Sequence, residues 1–360
     1  MRKIAKSIAV VATVAALSLS ACGRSDETTS GEAAGFEEGS AIGVALPQKT
    51  SENWVLAEGL FNDGLTEAGY KPQVQFANGG VSEQQNQISS MITNGVKVLV
   101  VGAIDGAQLG SQLQEAKDAG ITVIAYDRLL TNTENVDYYV AYDNFKVGQL
   151  QGQALLDGMK ANKPEGPYNI ELFAGSPDDA NAQVFFDGAM DVLQPEIESG
   201  NLNIVSGQTE FNQAVTQGWK AENAQKRMDT LLSGSYGTEE LDGVLSPNDT
   251  LARAILTSVS AAGKPVPVVT GQDSEVESVK SIMDGIQYST INKDTRALVD
   301  HSIEMVKGLG AGDELEINDD ESYDNGVKVV PAYLLEPQIV TKENAAEAYA
   351  NDPTLSALVK

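Results

Sequence analysis

VKVLVVGAID, residues 96–105, is an almost unbroken aliphatic run that ends in a carboxylate. Three other runs have the same form: ITVIAYDR (121–128), LDGVLSPND (241–249) and PVPVVTGQD (265–273). Continuous Val/Ile/Leu stretches of this length predict parallel strands buried on both faces and followed by helices. In an open α/β sheet the ligand crevice lies just beyond the carboxyl ends of the strands. Asp105, Asp127, Asp249 and Asp273 are therefore expected at such an edge. Carboxylates and amides gathered there, with neither a nucleophile–base pair nor a metal cluster, predict a site that hydrogen-bonds a neutral polyol rather than one that performs chemistry.

Outward from these runs the pattern alternates strand and helix. AIGVALP (41–47) is a strand, and Leu56, Leu60 and Leu65 give helical spacing over 54–68. Ser82 and Gln85 form a capping-box pattern before Ile88, Met91 and Ile92, and Gly95 closes that helix. Leu109, Leu113 and Ala116 mark the next helix, up to Gly120. A second series begins at YNIELFAGSP (168–177) and runs through NIVSGQ (203–208). It continues with a helix around Ala224, Met228, Leu231 and Leu232, and ends in the short strand YSTI (288–291). Two doubly wound α/β halves with parallel sheets are the simplest account, and about 320 residues is more than one core usually supports.

The N-terminus carries its own message. Arg2, Lys3 and Lys6, an apolar stretch over 8–19 and small residues before Cys22 form an export signal too short to span a bilayer. Leu-Ser-Ala before Cys22 resembles the lipobox of bacterial lipoproteins, which implies lipidation of Cys22 and a protein held at the outer face of the cytoplasmic membrane. Residues 22–40, small, polar and acidic, read as a flexible tether. The chain has 24 basic and 51 acidic residues, a net charge of −27 that becomes −30 once 1–21 are removed, so nucleic acid is not an expected partner. A single Cys and a single His exclude an internal disulfide and argue against a triad or a His-based zinc site. His301 is expected on a helix surface, and the acidic stretch 313–325 departs from the calcium-loop spacing and reads as a solvated loop. No cofactor or metal is expected.

IAYDRL (124–129), YDNFKVGQLQ (142–151), GSPDDANA (175–182), LSPND (245–249), TGQDSEV (270–276), YSTINKDTR (288–296) and NGVKVVPAYLL (325–335), in this order and spacing, resemble the type I periplasmic binding proteins. The similar branch is that of xylose-binding and multiple-sugar-binding receptors of ABC importers, over about 41–345. The resemblance implies two Rossmann-like lobes joined by three crossings, near Asp143, Lys293 and Val330. One lobe is then 41–143 with 294–330 and the other 144–293 with 331–360, and sugar is held between them by hinge closure.

The same resemblance suggests the site. A pyranose has polar edges that suit bidentate partners and C–H faces that suit aromatic rings. Asp127 and Arg128 are assigned to hydroxyls or the ring oxygen, the alternative being an ion pair between loops. Asp249 and Asp273 match acidic ligands of the second lobe, with helix capping as the competing role. Asn181 and Lys293 match polar ligands, and Asn248 and Gln272 either contact sugar or only support their loop. Trp54 and Trp219, the chain's two tryptophans, are assigned to the sugar's faces, with a core role as the alternative. Where relatives tend to carry Arg before the first Trp this chain has Asn53, which implies a shifted preference inside the sugar class; Lys49 lies near enough to compensate. Asp143 and Asn144 read as hinge structure, and Asp105 is not assigned to the ligand.

The expected function is a lipid-anchored, non-enzymatic receptor, monomeric by default, that captures xylose, glucose or a similar aldose and delivers it to an ABC permease. The alternative is a sugar sensor that presents its closed form to a membrane signalling receptor. A glycosidase would need an acid of raised pKa opposite a second carboxylate, whereas Asp127 beside Arg128 is expected to stay ionised.

Overall fold

The computed structural model describes residues 35–360; the export segment, Cys22 and the first part of the tether lie outside the described residues. Residues 36–40, expected as part of the tether, belong to the folded first lobe: Phe36 donates its N–H to Gly310 O and rests its ring on Tyr70 at 5.6 Å between centroids.

Strand and helix then alternate as β1 (Ala41–Leu46), α1 (Glu52–Glu67), β2 (Lys71–Phe76), α2 (Val81–Thr93), β3 (Val98–Val101), α3 (Gly110–Asp118), β4 (Thr122–Tyr126) and β5 (Tyr138–Tyr142). The second series is α4 (Asn144–Asn162), β6 (Tyr168–Leu172), α5 (Ala180–Glu198), β7 (Leu202–Ile204), the short α6 (Phe211–Ala214), α7 (Ala221–Ser233), β8 (Gly243–Leu245), α8 (Asp249–Ala261), β9 (Val268–Val269), α9 (Val276–Met283) and β10 (Ser289–Asn292). After it come α10 (Thr295–Ala311), β11 (Ala332–Leu335), β12 (Gln338–Thr341) and α11 (Ala345–Ala348).

The first sheet has the order β11-β5-β4-β3-β1-β2, with every neighbouring pair parallel. Alternation along its strands sends Ile42, Val44, Val98 and Val100 to one face, under α1 and α10. Ala45, Leu99, Val101 and Val123 go to the other, under α2 and α3. Both faces being covered is why these strands are continuously apolar. A second parallel sheet, β7-β6-β8-β9, is wrapped in the same way: Ile170, Leu172 and Leu245 meet α4 and α5, while Val244 and Val269 meet α7 and α8. β10 and β12 form a separate antiparallel pair.

Four expectations need correction. The third crossing lies after Leu335, not near Val330: β11 is the edge strand of the first sheet, paired with β5, and only from β12 does the chain join the second lobe, where Val340, Tyr349 and Leu355 pack on Val279 of α9. On α1 the buried stripe is Trp54, Ala57, Phe61 and Leu65, so Leu56 lies on the solvent side, at 36% exposure, although its spacing from Leu60 is helical. The Ser82–Gln85 capping box does not form, because the helix starts two residues earlier than that box requires, with Gly80 at the cap position. His301 is half-buried rather than a surface residue of α10, its ring stacked on Tyr333 of β11 at 3.5 Å and 18°.

Candidate binding site

The strand ends of both sheets face one another across a cleft, and a narrow cavity lies between them. The first lobe lines it with Thr50, Ser51, Asn53 and Trp54 at the start of α1 and with Asp127 and Arg128 after β4. The second contributes Asp179, Asn181 and Phe185 of the α5 turn, Trp219, Asn248 after β8, and Gln272 and Asp273 after β9; Lys293 follows the hinge strand β10.

Local backbone geometry aims these groups. Asp127 (φ 60°), Trp219 (φ 54°) and Asp273 (φ 92°) are held in the left-handed region, where a bulky residue such as Trp is strained unless its surroundings fix it. Each tryptophan rests on a bare glycine. A Cβ on Gly102 would lie 3.0 Å from the Trp54 ring, and one on Gly175 would lie 2.1 Å from that of Trp219. The glycine that ends the β3 run is therefore needed for close approach, not for a turn.

The charges are arranged as matched pairs. Arg128 donates from Nη1 to Ala103 O at 3.0 Å, and its guanidinium lies 5.4 Å over the Trp54 ring. Its Nε is 3.0 Å from Asp179 Oδ2, a buried ion pair whose N–H is not aligned for a hydrogen bond. Asp179 also receives Trp219 Nε1 at 3.1 Å and the N–H of Asn181 at 3.0 Å. Burial pushes its carboxyl up, and Arg128 opposes that shift. Lys293 Nζ lies 3.1 Å from Asp273 Oδ1 and 5.4 Å from the centre of the Phe185 ring. Burial lowers its pKa, but the carboxylates of Asp273, Asp127 and Asp179 outweigh this and hold it above the usual lysine value. With Arg128 and Lys293 committed to Asp179 and Asp273, the Asp127 carboxylate lacks a protein partner among the described residues and faces the cavity as an acceptor. Asn181 braces it from behind, donating from Nδ2 to Asp127 O at 2.6 Å.

The amides divide their groups between protein and cavity. Asn248 Oδ1 caps α8 by accepting from Leu251 N, which leaves its NH₂ for a ligand. Gln272 donates to Pro247 O at 2.5 Å, and its buried Oε1 has no partner among the described residues, an acceptor in want of a hydroxyl. Asn53 folds back on Ser51 Oγ. Asn144 bonds Tyr139 OH and receives no place in the cavity, and Asp143 caps α4 through Lys146 N.

Two assigned ligands are elsewhere. Lys49 lies outside the cavity lining, paired with Glu58 at 3.0 Å and 4.4 Å from the Phe76 ring, so it does not stand in for a longer side chain at position 53. Asp249 is fully buried beneath the cavity floor as the first residue of α8. Its carboxylate accepts from Glu275 N (2.9 Å), Gln287 Nε2 (2.8 Å) and Thr290 Oγ1 (2.9 Å). Asp105 holds its own turn through Ala107 N and Gln108 Nε2. Asp179, Phe185, Thr50 and Ser51 were not singled out from sequence; Asp179 lies inside GSPDDANA, one place before the helix that carries Asn181.

Burial, and next the charge of Glu275, push the Asp249 carboxyl well above its ordinary 3.8. An acid whose native pKa is raised stabilises the fold fully below its unfolded value and loses that stabilisation as pH rises through the native one. Asp249→Asn is therefore expected to flatten the fall in melting temperature as pH rises above the ordinary carboxylate value of 3.8, and parallel pH profiles for variant and parent would refute this.

The comparisons with known proteins agree with this architecture. Residues 42–314 match the family model for the periplasmic binding protein domain, and the chain belongs to that family, with its type I fold. The chain is 49% identical over 308 residues to the multiple sugar-binding periplasmic receptor of Rhizobium radiobacter, covering 84% of this chain and 87% of that protein. It is 36% identical over 312 residues to the D-xylose-binding periplasmic protein of Escherichia coli, with coverages of 86% and 89%. An ABC transporter solute-binding protein of Clostridium phytofermentans, solved with bound β-D-glucose, superposes with a TM-score of 0.85 at 39% identity, over 89% of this chain and all of that one.

Proposed function

We propose that this chain is an extracytoplasmic solute-binding lipoprotein that holds one aldose of the xylose or glucose type between its lobes and hands it to an ABC permease. The observation that carries the reading is the cavity itself: two tryptophans, charges already paired, and unpaired amide and carboxylate groups at the rim. A neutral polyol satisfies the free acceptors of Asp127 and Gln272 and the free donors of Asn248, and offers C–H faces to the rings. An anion would meet three carboxylates. Relatives named for sugar binding and a structural neighbour solved with glucose support the ligand class and a non-enzymatic role. Cys22 would supply the membrane anchor, and monomer is the default state.

Calorimetric titration with D-xylose, D-glucose, D-galactose, L-arabinose and D-ribose, with tryptophan fluorescence followed in parallel, tests the ligand class. At least one sugar is expected to bind at about 1 µM or tighter, roughly −8 kcal/mol, with a fluorescence change. Flat traces for all five would overturn the aldose assignment.

A further inference from the structure

Beside the ligand cavity the lobes meet a second time, where the N-termini of α1 and α9 approach each other. Glu52, the first residue of α1, accepts at Oε2 from Val276 N, the first residue of α9, at 2.9 Å. In return Glu275, the residue before α9, accepts at Oε1 from the N–H of Glu52 at 3.4 Å. Neither helix is capped by its own N-cap side chain: Ser51 makes no cap bond to α1, and Glu275 makes none to α9. Each therefore takes a cap from the opposite lobe, in a position that a helix N-terminus fills with a carboxylate or hydroxyl.

The two halves are unequal. Glu275 is 2% exposed and fixed within its own lobe, where its carboxylate meets Arg253 at 2.5 Å and Thr250 Oγ1 at 2.8 Å, while its N–H donates to Asp249. Asp249 in turn receives Thr290 of the hinge strand β10. Glu52 is solvent-exposed and free to swing with the first lobe. Separation of the lobes leaves Glu275 held as before, returns Glu52 to water, and strips a cap from each helix.

We infer that Glu52, Glu275 and the α9 N-terminus form an interlobe latch that holds the closed state and slows ligand release. The kinetic part of this inference rests on the sugar-receptor reading above. Neither Glu52 nor Glu275 lines the ligand cavity, so Glu52 is a positioning residue, and its effect belongs in the dissociation rate.

Stopped-flow tryptophan fluorescence on the full chain, with whichever of D-xylose or D-glucose binds, reads that rate. Glu52→Ala is expected to speed dissociation about 3- to 10-fold with association changed less than 2-fold. Val276→Pro deletes the donor while keeping a residue tolerated at the first helical position, and is expected to give the same increase, with no further gain when combined with Glu52→Ala. Unchanged dissociation, or additive effects of the two, would overturn the latch. Nitroxide labels at Asn94→Cys and Glu198→Cys, in a Cys22→Ser chain, give a reading without sugar: Glu52→Ala should widen the interlobe distance distribution, and identical distributions overturn the inference. If the parent chain binds no sugar, the receptor reading falls and the label distances alone decide the latch.

Discussion

Arg128→Ala should lower sugar affinity at least 100-fold and reduce the melting temperature of the empty protein. Three roles end with that side chain. The Asp179 carboxylate, with 4% of its side chain exposed, loses its cation and keeps only Trp219 Nε1 and the Asn181 N–H. Removing one member of a buried pair costs about 3–5 kcal/mol, because the remaining charge is left desolvated. Burial already raises the Asp179 pKa against the opposing charge of Arg128, so without Arg128 it rises further, and a proton on Oδ2 would face the Trp219 N–H rather than accept from it. The Trp54 ring loses the guanidinium stacked 5.4 Å from it, and both aromatic walls are then loosened at once. Arg128→Lys restores charge but not the planar fork that reaches Ala103 O and Asp179 together, so it should recover stability more than affinity. Calorimetric titration and thermal melting of both variants check this, and Arg128→Ala binding within 10-fold of the parent would refute it.

The aliphatic runs located the strands because a strand covered on both faces cannot afford polar residues, and β3, β4, β8 and β9 all lie inside the quoted stretches. Choosing between adjacent residues at a strand end was harder. Asn248 and Asp249 are neighbours at the start of a helix, where one residue is a rotation of about 100°: Asn248 caps α8 and faces the cavity, while Asp249 turns into the core to hold Glu275, Gln287 and Thr290. Leu56 failed as a core residue for the same reason, since a helical spacing is shared by every face of a helix. Lys49 shows the limit of proximity in sequence, because a long side chain settles on the nearest carboxylate and ring, here Glu58 and Phe76. Asp179 escaped notice because an acid before a helix is the commonest of caps, and only the fold brings Arg128 and Trp219 to it. The cross-lobe caps of α1 and α9 are separated by 224 positions, a pairing that no local pattern encodes.

Gly148→Ala, a single methyl group outside the cavity, should be as damaging as a change within it. α4 and α5 cross at glycines: a Cβ on Gly148 would lie 2.1 Å from Phe185 O and 2.8 Å from Ala189 N, and one on Gly188 would lie 2.1 Å from Phe145 O. These obstacles are backbone atoms of helices, so no side-chain rotation relieves the clash and the helices must separate. Overpacking of this kind costs about 3 kcal/mol where the backbone has to move. The displacement is transmitted to the ligand site because α5 carries Asn181 in its first turn and Phe185 in its second, and Phe185 O is the atom struck. Asn181 would draw away from Asp127 O, the 2.6 Å bond that braces the cavity's free carboxylate, and Phe185 from Lys293. Gly148→Ala is thus expected to lose about 3 kcal/mol in denaturant unfolding and to bind sugar at least 10-fold more weakly under conditions where it remains folded. Gly59→Ala provides the control, since a Cβ there meets nothing within 4 Å and a helical alanine should be neutral or slightly stabilising. If Gly148→Ala matched Gly59→Ala in both measurements, the helix crossing would not be what positions Asn181 and Phe185.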